Sequence, residues 1–153
     1  MRVYKNLFGN GSKINASEIV TKNPAGEVTA LDLLGVECGS NANGEWVRFN
    51  FGLQVCWGKA EYLFTTDTVG NVHRDVVVPR TIIYPTSFLA GTIPVFLPQI
   101  SGSSSAHNTW IGSHARSTTN TQGSFRIMSA LARTNETAVV DWLAIGWWKE
   151  PGT

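Results

Sequence analysis

Apolar and polar residues alternate from about Leu34 onward, and this period of two is typical of β-strands that bury one face. In the segment EWVRFNF, Val47 and Phe49 fall on one face of the predicted strand, and Trp46 and Arg48 fall on the other. No window of comparable length has the spacing of an amphipathic helix. A chain with this pattern is constrained to an all-β fold.

The alternating segments are short and are separated by turn-forming residues. Asn50-Phe51-Gly52 predicts a turn between two strands, and Pro94 and Pro98 suit a strand at a sheet edge. Six or more such strands in 153 residues predict an antiparallel β-sandwich of about six strands. The candidate strands are LGVECG, EWVRFNF, GLQVCWGKAEYLF, RDVVVPRTI, TIPVFLPQIS, SFRIMSALA and AVVDWLAIGWW.

The first part of the chain has a different texture. Its apolar residues are sparse, and Gly9, Gly11, Pro24 and Gly26 interrupt any helical period. We therefore expect residues 1–33 to form an extended or short-helical stalk segment and residues 34–153 to form the sandwich.

The low charge of the chain restricts the classes of molecule that it is expected to bind. Charged residues make up 15% of the sequence and the net charge is +1, which argues against a nucleic-acid binder. No apolar run is long enough for membrane insertion, and no signal peptide is expected after Met1. A surface so poor in charge suggests cover by copies of the same chain, which favours a homo-oligomer.

The two cysteines do not form a disulfide framework. Cys38 and Cys56 lie in predicted strands that we expect to be neighbours, so a bridge is geometrically possible. Two half-buried thiols are the preferred interpretation.

No pattern of catalytic or metal-ligating residues is evident. His73, His107 and His114 have no metal-ligand spacing, so we expect no metal and no cofactor, and surface roles for all three. The acidic residues are scattered. A glycosidase pair across a sugar is left open by the sequence, although the prediction is that the chain is not an enzyme.

The segment GSNANGEWVRFNFGLQVCWG, residues 39–58, resembles one that recurs in tail fibres and tailspikes of tailed bacteriophages. There, Gly-Ser-Asn-Ala-Asn-Gly precedes Tyr-Val-Arg-Phe, a short turn and Gln-Ile-Cys-Trp. Trp46 stands where Tyr is commoner, and residues 50–53 replace an Ala-Asp-Gly-Thr turn. YKNLFGNGS is similar to the segment that precedes these domains, and YPTSFLAGTIPV and VVDWLAIGWW are similar to their later strands. The resemblance therefore runs from about Tyr4 to Trp148.

The resemblance implies a receptor-binding domain at the C-terminal, distal end of a phage tail fibre in the virion. Such domains are β-sandwiches that assemble as parallel homotrimers and contact the host surface, and the closing strand also resembles that of H-type lectins. The implied partner is a bacterial surface polysaccharide (lipopolysaccharide or capsule) or an outer-membrane protein. The small residues of GSNANG, with Asn41 and Asn43 bonding backbone groups, suit an architectural role where the stalk enters the head.

The polar stretch from Ser101 to Gln122 is the favoured receptor site, because it is too long for an economical hairpin and combines a Trp with His, Arg and amides. Its candidate binding residues are His107, Asn108, Trp110, His114, Arg116 and Asn120. The alternative is a Ser/Thr linker in which Trp110 packs inward. A second candidate patch is His73 with Arg74.

The closing predicted strand, AVVDWLAIGWW, contains three further tryptophans. Trp142, Trp147 and Trp148 are expected to fill the core or the seam of a trimer. Two further functions remain open: a polysaccharide-degrading or deacetylating tailspike enzyme, and a structural trimerisation cap.

Overall fold

The computed structural model describes residues 22–23, 26–27, 35–103 and 108–150. The chain divides into two compact units, Met1–Glu37 and Cys38–Thr153. In the first unit, the short strands β1 (Lys22–Asn23) and β2 (Gly26–Glu27) pair antiparallel. Most of the predicted stalk lies outside the described residues. The described residues contain no helix long and apolar enough to cross a membrane.

Within the described residues, ten further strands form two antiparallel five-stranded sheets. The first sheet has the order β10-β11-β7-β6, with β8 pairing the other half of β11, and the second has the order β3-β4-β5-β12-β9. The strands are β3 (Val36–Asn41), β4 (Gly44–Phe49), β5 (Leu53–Phe64), β6 (Thr66–Val69), β7 (Val72–Asp75), β8 (Arg80–Ile83), β9 (Val95–Ser103), β10 (Thr109–Ser113), β11 (Gln122–Ser129) and β12 (Glu136–Trp147). The predicted all-β sandwich is confirmed, with more strands than the six expected.

Two of the predicted elements differ from the structure. RDVVVPRTI forms two strands, β7 and β8, because the carboxylate of Asp75 accepts the amide of Val77 at 3.1 Å and turns the chain. The stretch from Ser101 to Gln122 is not one loop. It contains the end of β9, the strand β10 and a 3₁₀ turn at Ala115–Ser117. β10 is stabilised by its pairing with β11, a contact that its polar sequence does not reveal.

The core lies between the sheets and is rich in aromatic side chains. Phe125 and Ile127 of β11 are fully buried against residues of β12, of which Ala138, Val140 and Trp142 alternate inward. Burying each large apolar side chain stabilises the fold by about 1.5 to 3 kcal/mol. Trp142 is 4% exposed, so its predicted core position is confirmed.

The other two C-terminal tryptophans lie outside the core. Trp147 is 39% exposed. The indole nitrogen of Trp148 donates to the Phe49 carbonyl at 3.0 Å. Arg48 lies over the rings of both Trp46 and Trp148, at 5.1 and 5.0 Å from their centroids, which adds cation–π attraction at this edge of the sandwich.

The segment that resembles phage fibres, residues 39–58, runs from β3 through β4 into β5. The Asn41 amide donates to the Pro85 carbonyl at 2.7 Å, and its oxygen accepts the amide of Asn43 at 2.9 Å. Gly44 has a φ of 138°, a conformation that favours glycine. The expected backbone-bonding role of Asn41 is therefore confirmed.

The two cysteines are not on neighbouring strands, because β4 lies between β3 and β5. The expectation of adjacency is wrong. The structure records both as free thiols, Cys38 exposed and Cys56 buried.

Candidate functional site

A row of four side chains crosses the outer face of the first sheet. Trp110 of β10 pairs with Met128 of β11, Met128 pairs with Arg74 of β7, and Arg74 pairs with Asp67 of β6. Directly opposed residues in antiparallel strands share a face, so these four side chains are neighbours. We refer to them as the Trp110 row.

The alternation of β11 determines which way the row faces. Phe125, Ile127 and Ser129 are buried in the sandwich, so the residues between them, Arg126 and Met128, belong to the outer face. Trp110 is 41% exposed, as a residue on the solvent side of an edge strand should be.

Gly112 of β10 lets the side chain of Met128 pack close to the backbone. It pairs with Arg126, and a Cβ at this position would come within 3.1 Å of Met128 Cγ and 3.8 Å of Arg126 Cβ. Gly112 therefore accommodates the side chain of Met128, which a larger residue at this position would displace.

The electrostatics of this face are set by two guanidinium groups and one carboxylate. In the described part of the chain, neither Arg74 nor Arg126 forms an ion pair within 4.0 Å. The Nε of Arg126 is buried and has no hydrogen-bond partner there. Asp67 uses one carboxylate oxygen to accept the amide of Thr68 at 2.8 Å. The face thus carries more donor capacity than its own residues use.

An exposed aromatic ring that shares a face with guanidinium groups lacking ion pairs in the described region is suited to binding a sugar. The apolar C–H face of a pyranose packs on an indole, and guanidinium N–H groups donate to hydroxyl or acidic oxygens. The strands hold these side chains on a rigid scaffold, which reduces the ordering cost of binding.

The structure places some of the predicted site residues on one face and others elsewhere. Trp110 and Arg74, from two separately predicted patches, come together in the row. His73 alternates to the opposite face, where it pairs with Ser129 and its Nδ1 lies 3.1 Å from Thr68 Oγ1. His107 lies outside the described residues.

The other candidates lie outside the Trp110 row. Asn108 is exposed beside β10, and Arg116 is exposed on the 3₁₀ turn. Asn120 donates to the Phe88 carbonyl at 3.2 Å and so helps to hold a neighbouring loop. His114 follows β10, and its Nδ1 is buried without a hydrogen-bond partner in the described region.

Sequence reasoning missed Arg126 and Met128. The alternation in SFRIMS could have placed both on one face, but it carries no information about which strands pair with it. Register joins residues that are 36 positions apart along the chain, as with Arg74 and Trp110.

Two cavities among the described residues lie outside the Trp110 row. One of about 260 Å³ is lined mainly by apolar residues, including Phe96, Pro98 and Ile111. Its polar side chains, Thr118 and Ser124, already bond the backbone. A second, of about 240 Å³, lies near the β3–β4 turn.

The buried titratable groups show no sign of activation. Burial raises the pKa of the Cys56 thiol to about 11, against smaller opposing effects of hydrogen bonds and of Arg48, so this thiol stays protonated at neutral pH. Burial also raises the pKa of Tyr84, with a further contribution from Cys56. Among the described residues, no group of three or more His, Cys, Asp or Glu side chains is placed to hold a metal ion.

Comparison with known proteins finds two pyocin fibres as structural neighbours. A C-terminal fragment of the P. aeruginosa R1 pyocin fibre is 20% identical, with a TM-score of 0.46, over 90% of this chain and 38% of that chain. A fragment of the R2 pyocin fibre is 17% identical, with a TM-score of 0.46, over 89% of this chain and 36% of that chain. The chain therefore spans less than two fifths of these fragments, and the likeness is too distant to assign a function. No family model and no curated protein matches the chain.

Proposed function

We propose that this chain is the receptor-binding domain of a tail-fibre protein and binds a bacterial surface glycan through the Trp110 row. The observation that carries the proposal is the exposed indole of Trp110 on the same rigid face as Arg74, whose guanidinium group has no ion pair among the described residues. The resemblance of residues 39–58 to phage fibre domains supports the same function.

The composition of the row favours binding over catalysis. Hydrolysis of a glycosidic bond usually needs two carboxyl groups across the sugar. Asp67 is the single carboxylate in the row, and it lies at the end opposite to Trp110. No observation specifically favours the polysaccharide-degrading or deacetylating alternatives.

Assembly as a homotrimer is the second part of the proposal. The outer face of the second sheet carries two apolar rows across neighbouring strands: Val47, Val55, Ile145 and Val95 in one, and Trp57, Leu143 and Leu97 in the other. Val95 is 60% exposed and Leu97 is 53% exposed. Contiguous apolar surface of this kind is typical of protein–protein interfaces.

The two parts of the proposal are compatible. The outer faces of a sandwich point in opposite directions, so assembly through the second sheet leaves the Trp110 row of each copy accessible. Three copies at the distal end of a fibre would engage a repetitive cell surface together, which multiplies a modest affinity at each site.

The test is binding of the fluorescently labelled protein to a panel of bacterial strains. We expect saturable binding to the host strain, inhibition by polysaccharide purified from that strain, and no release of reducing sugar or acetate. Saturable binding that persists after surface glycans are removed would indicate a protein receptor. Absence of binding to every strain, by an assembled protein, would favour a structural cap.

A further inference from the structure

We propose that the glycan bound at the Trp110 row is acidic and that its carboxylate or phosphate group lies between Arg126 and Arg74. This inference deepens the proposed function and rests on it. It concerns the chemical class of the ligand, which neither the fold nor the exposed tryptophan specifies.

An unsatisfied hydrogen-bond donor of Arg126 supports an acidic ligand. Its Nε is buried and has no partner among the described residues. A buried donor without an acceptor is unfavourable, and the penalty is larger for a charged group. An oxyanion bound at Arg126 would supply the missing acceptor through a charge-assisted hydrogen bond.

The position of Arg74 places a second guanidinium group near Arg126. It pairs with Met128, which makes it the diagonal neighbour of Arg126 across β7 and β11. Diagonal neighbours in a sheet lie about 7 to 8 Å apart at the backbone, within reach of two long side chains that converge on one ligand group. Two converging guanidinium groups favour an acidic oxygen over a neutral hydroxyl.

Most other described arginines, unlike Arg74 and Arg126, have partners within the protein. Arg48 donates to Gln54 and Thr86, Arg80 pairs with Asp75, and Arg133 donates to Ser129. These side chains have structural partners that occupy their donors. Arg74 and Arg126 have none in the described part of the chain.

Asp67 indicates where along the row the acidic group would lie. Its carboxylate at the β6 end repels a second anion, while Trp110 at the β10 end supplies an apolar ring. The acidic oxygen is therefore expected near Arg126, with the sugar ring extending toward Trp110.

The experiment uses an array of purified bacterial polysaccharides, each acidic polymer being accompanied by its carboxyl-reduced or dephosphorylated derivative. We expect the assembled protein to bind one or more acidic polymers and to lose at least about tenfold in affinity when the acidic group is removed. Loss on carboxyl reduction identifies a carboxylate, and loss on dephosphorylation identifies a phosphate.

Variants locate the contact. Arg126→Gln and Arg74→Gln should each weaken binding by about tenfold or more, and Arg126→Lys should restore part of it, since Lys keeps the charge but not the planar fork. Lys59→Gln, an equal loss of charge at a side chain that is 65% exposed on the second sheet, is the matched control and should change affinity by less than about twofold. Melting temperatures verify that each variant is folded.

The outcomes distinguish this inference from the proposed function. Binding to neutral polymers, or binding that survives removal of the acidic group, would overturn the acidic ligand and leave glycan recognition intact. Equal losses in Lys59→Gln and Arg126→Gln would show that only net charge matters and would also overturn the acidic ligand. Failure to bind any polysaccharide or any cell would overturn both proposals.

Discussion

Asp75 and Arg80 form a buried ion pair at the turn between β7 and β8. The Asp75 side chain is fully buried and the Arg80 side chain is 16% exposed, and Arg80 also donates to the Leu63 carbonyl at 2.8 Å. Removing one partner of such a pair leaves an uncompensated buried charge. We expect Asp75→Asn to lower the free energy of unfolding by about 3 to 5 kcal/mol, measured by urea denaturation.

Asp141→Asn is the matched control for that substitution. Asp141 pairs with Lys59 at 3.4 Å, but the two side chains are 47% and 65% exposed. Solvent screens such a pair, so the expected loss is at most about 1 kcal/mol. Equal losses at Asp75 and Asp141 would contradict the importance of burial.

Cys56 makes stability depend on pH in the alkaline range. Burial raises the pKa of its thiol from 9.0 to about 11, so the folded state holds a proton that the unfolded chain releases earlier. This contribution is fully present below pH 9 and is lost as pH rises from 9 to about 11. The melting temperature should therefore fall more steeply above pH 9 in the wild type than in Cys56→Ala. Parallel curves would contradict this role.

At the scale of elements, the hairpin β3–β4 depends on a glycine that no other residue can replace. Gly44 has a φ of 138°, and a Cβ there would overlap the carbonyl oxygen of Trp57 and lie 3.0 Å from the ring of Trp142. We expect Gly44→Ala to lower the free energy of unfolding by about 3 kcal/mol or more, because backbone strain and overpacking add.

Gly70→Ala separates the two causes. Gly70 has a φ of 62°, and a Cβ at that position would have no neighbouring atom within 4 Å. Only backbone strain applies there, so we expect a loss of about 1 to 2 kcal/mol. A loss at Gly44 no larger than that at Gly70 would contradict the close packing of the hairpin.

How much of these elements is predictable depends on where their stability originates. β5 and β12 are predictable because each of them alternates over twelve residues. β10 is not predictable from the sequence. Its five residues include two adjacent large apolar side chains, Trp110 and Ile111, and show no alternation, and its partner strand β11 does not follow it in a tight hairpin. The same reason limits the site: the sequence indicates Trp110 and Arg74 individually, whereas their placement on one face depends on register across three strands.

At the scale of the whole molecule, substitutions at Trp46 and Val47 should distinguish a defect in folding from a defect in assembly. Trp46 packs against the core, whereas Val47 belongs to the apolar outer face of the second sheet. Light scattering of the wild type should give a mass near three times 16.7 kDa. Val47→Asp should yield a folded monomer, since an unpaired charge prevents burial of that face, and Trp46→Asp should destabilise the fold itself.

Leu131→Asp is the control for assembly. Leu131 is 51% exposed and lies in the link between β11 and β12, outside the apolar rows. Its substitution should leave the mass unchanged. A wild-type protein that stays monomeric at micromolar concentration would contradict the proposed trimer.

The central claim is that the Trp110 row binds the host surface, and the dissociation constant for whole host cells tests it most directly. Trp110→Ala should weaken binding by about tenfold or more, as expected for an aromatic anchor, with little change in melting temperature. Phe51→Ala, which removes a ring that is 60% exposed at the β4–β5 turn, should bind like the wild type. Wild-type affinity in Trp110→Ala would contradict the account.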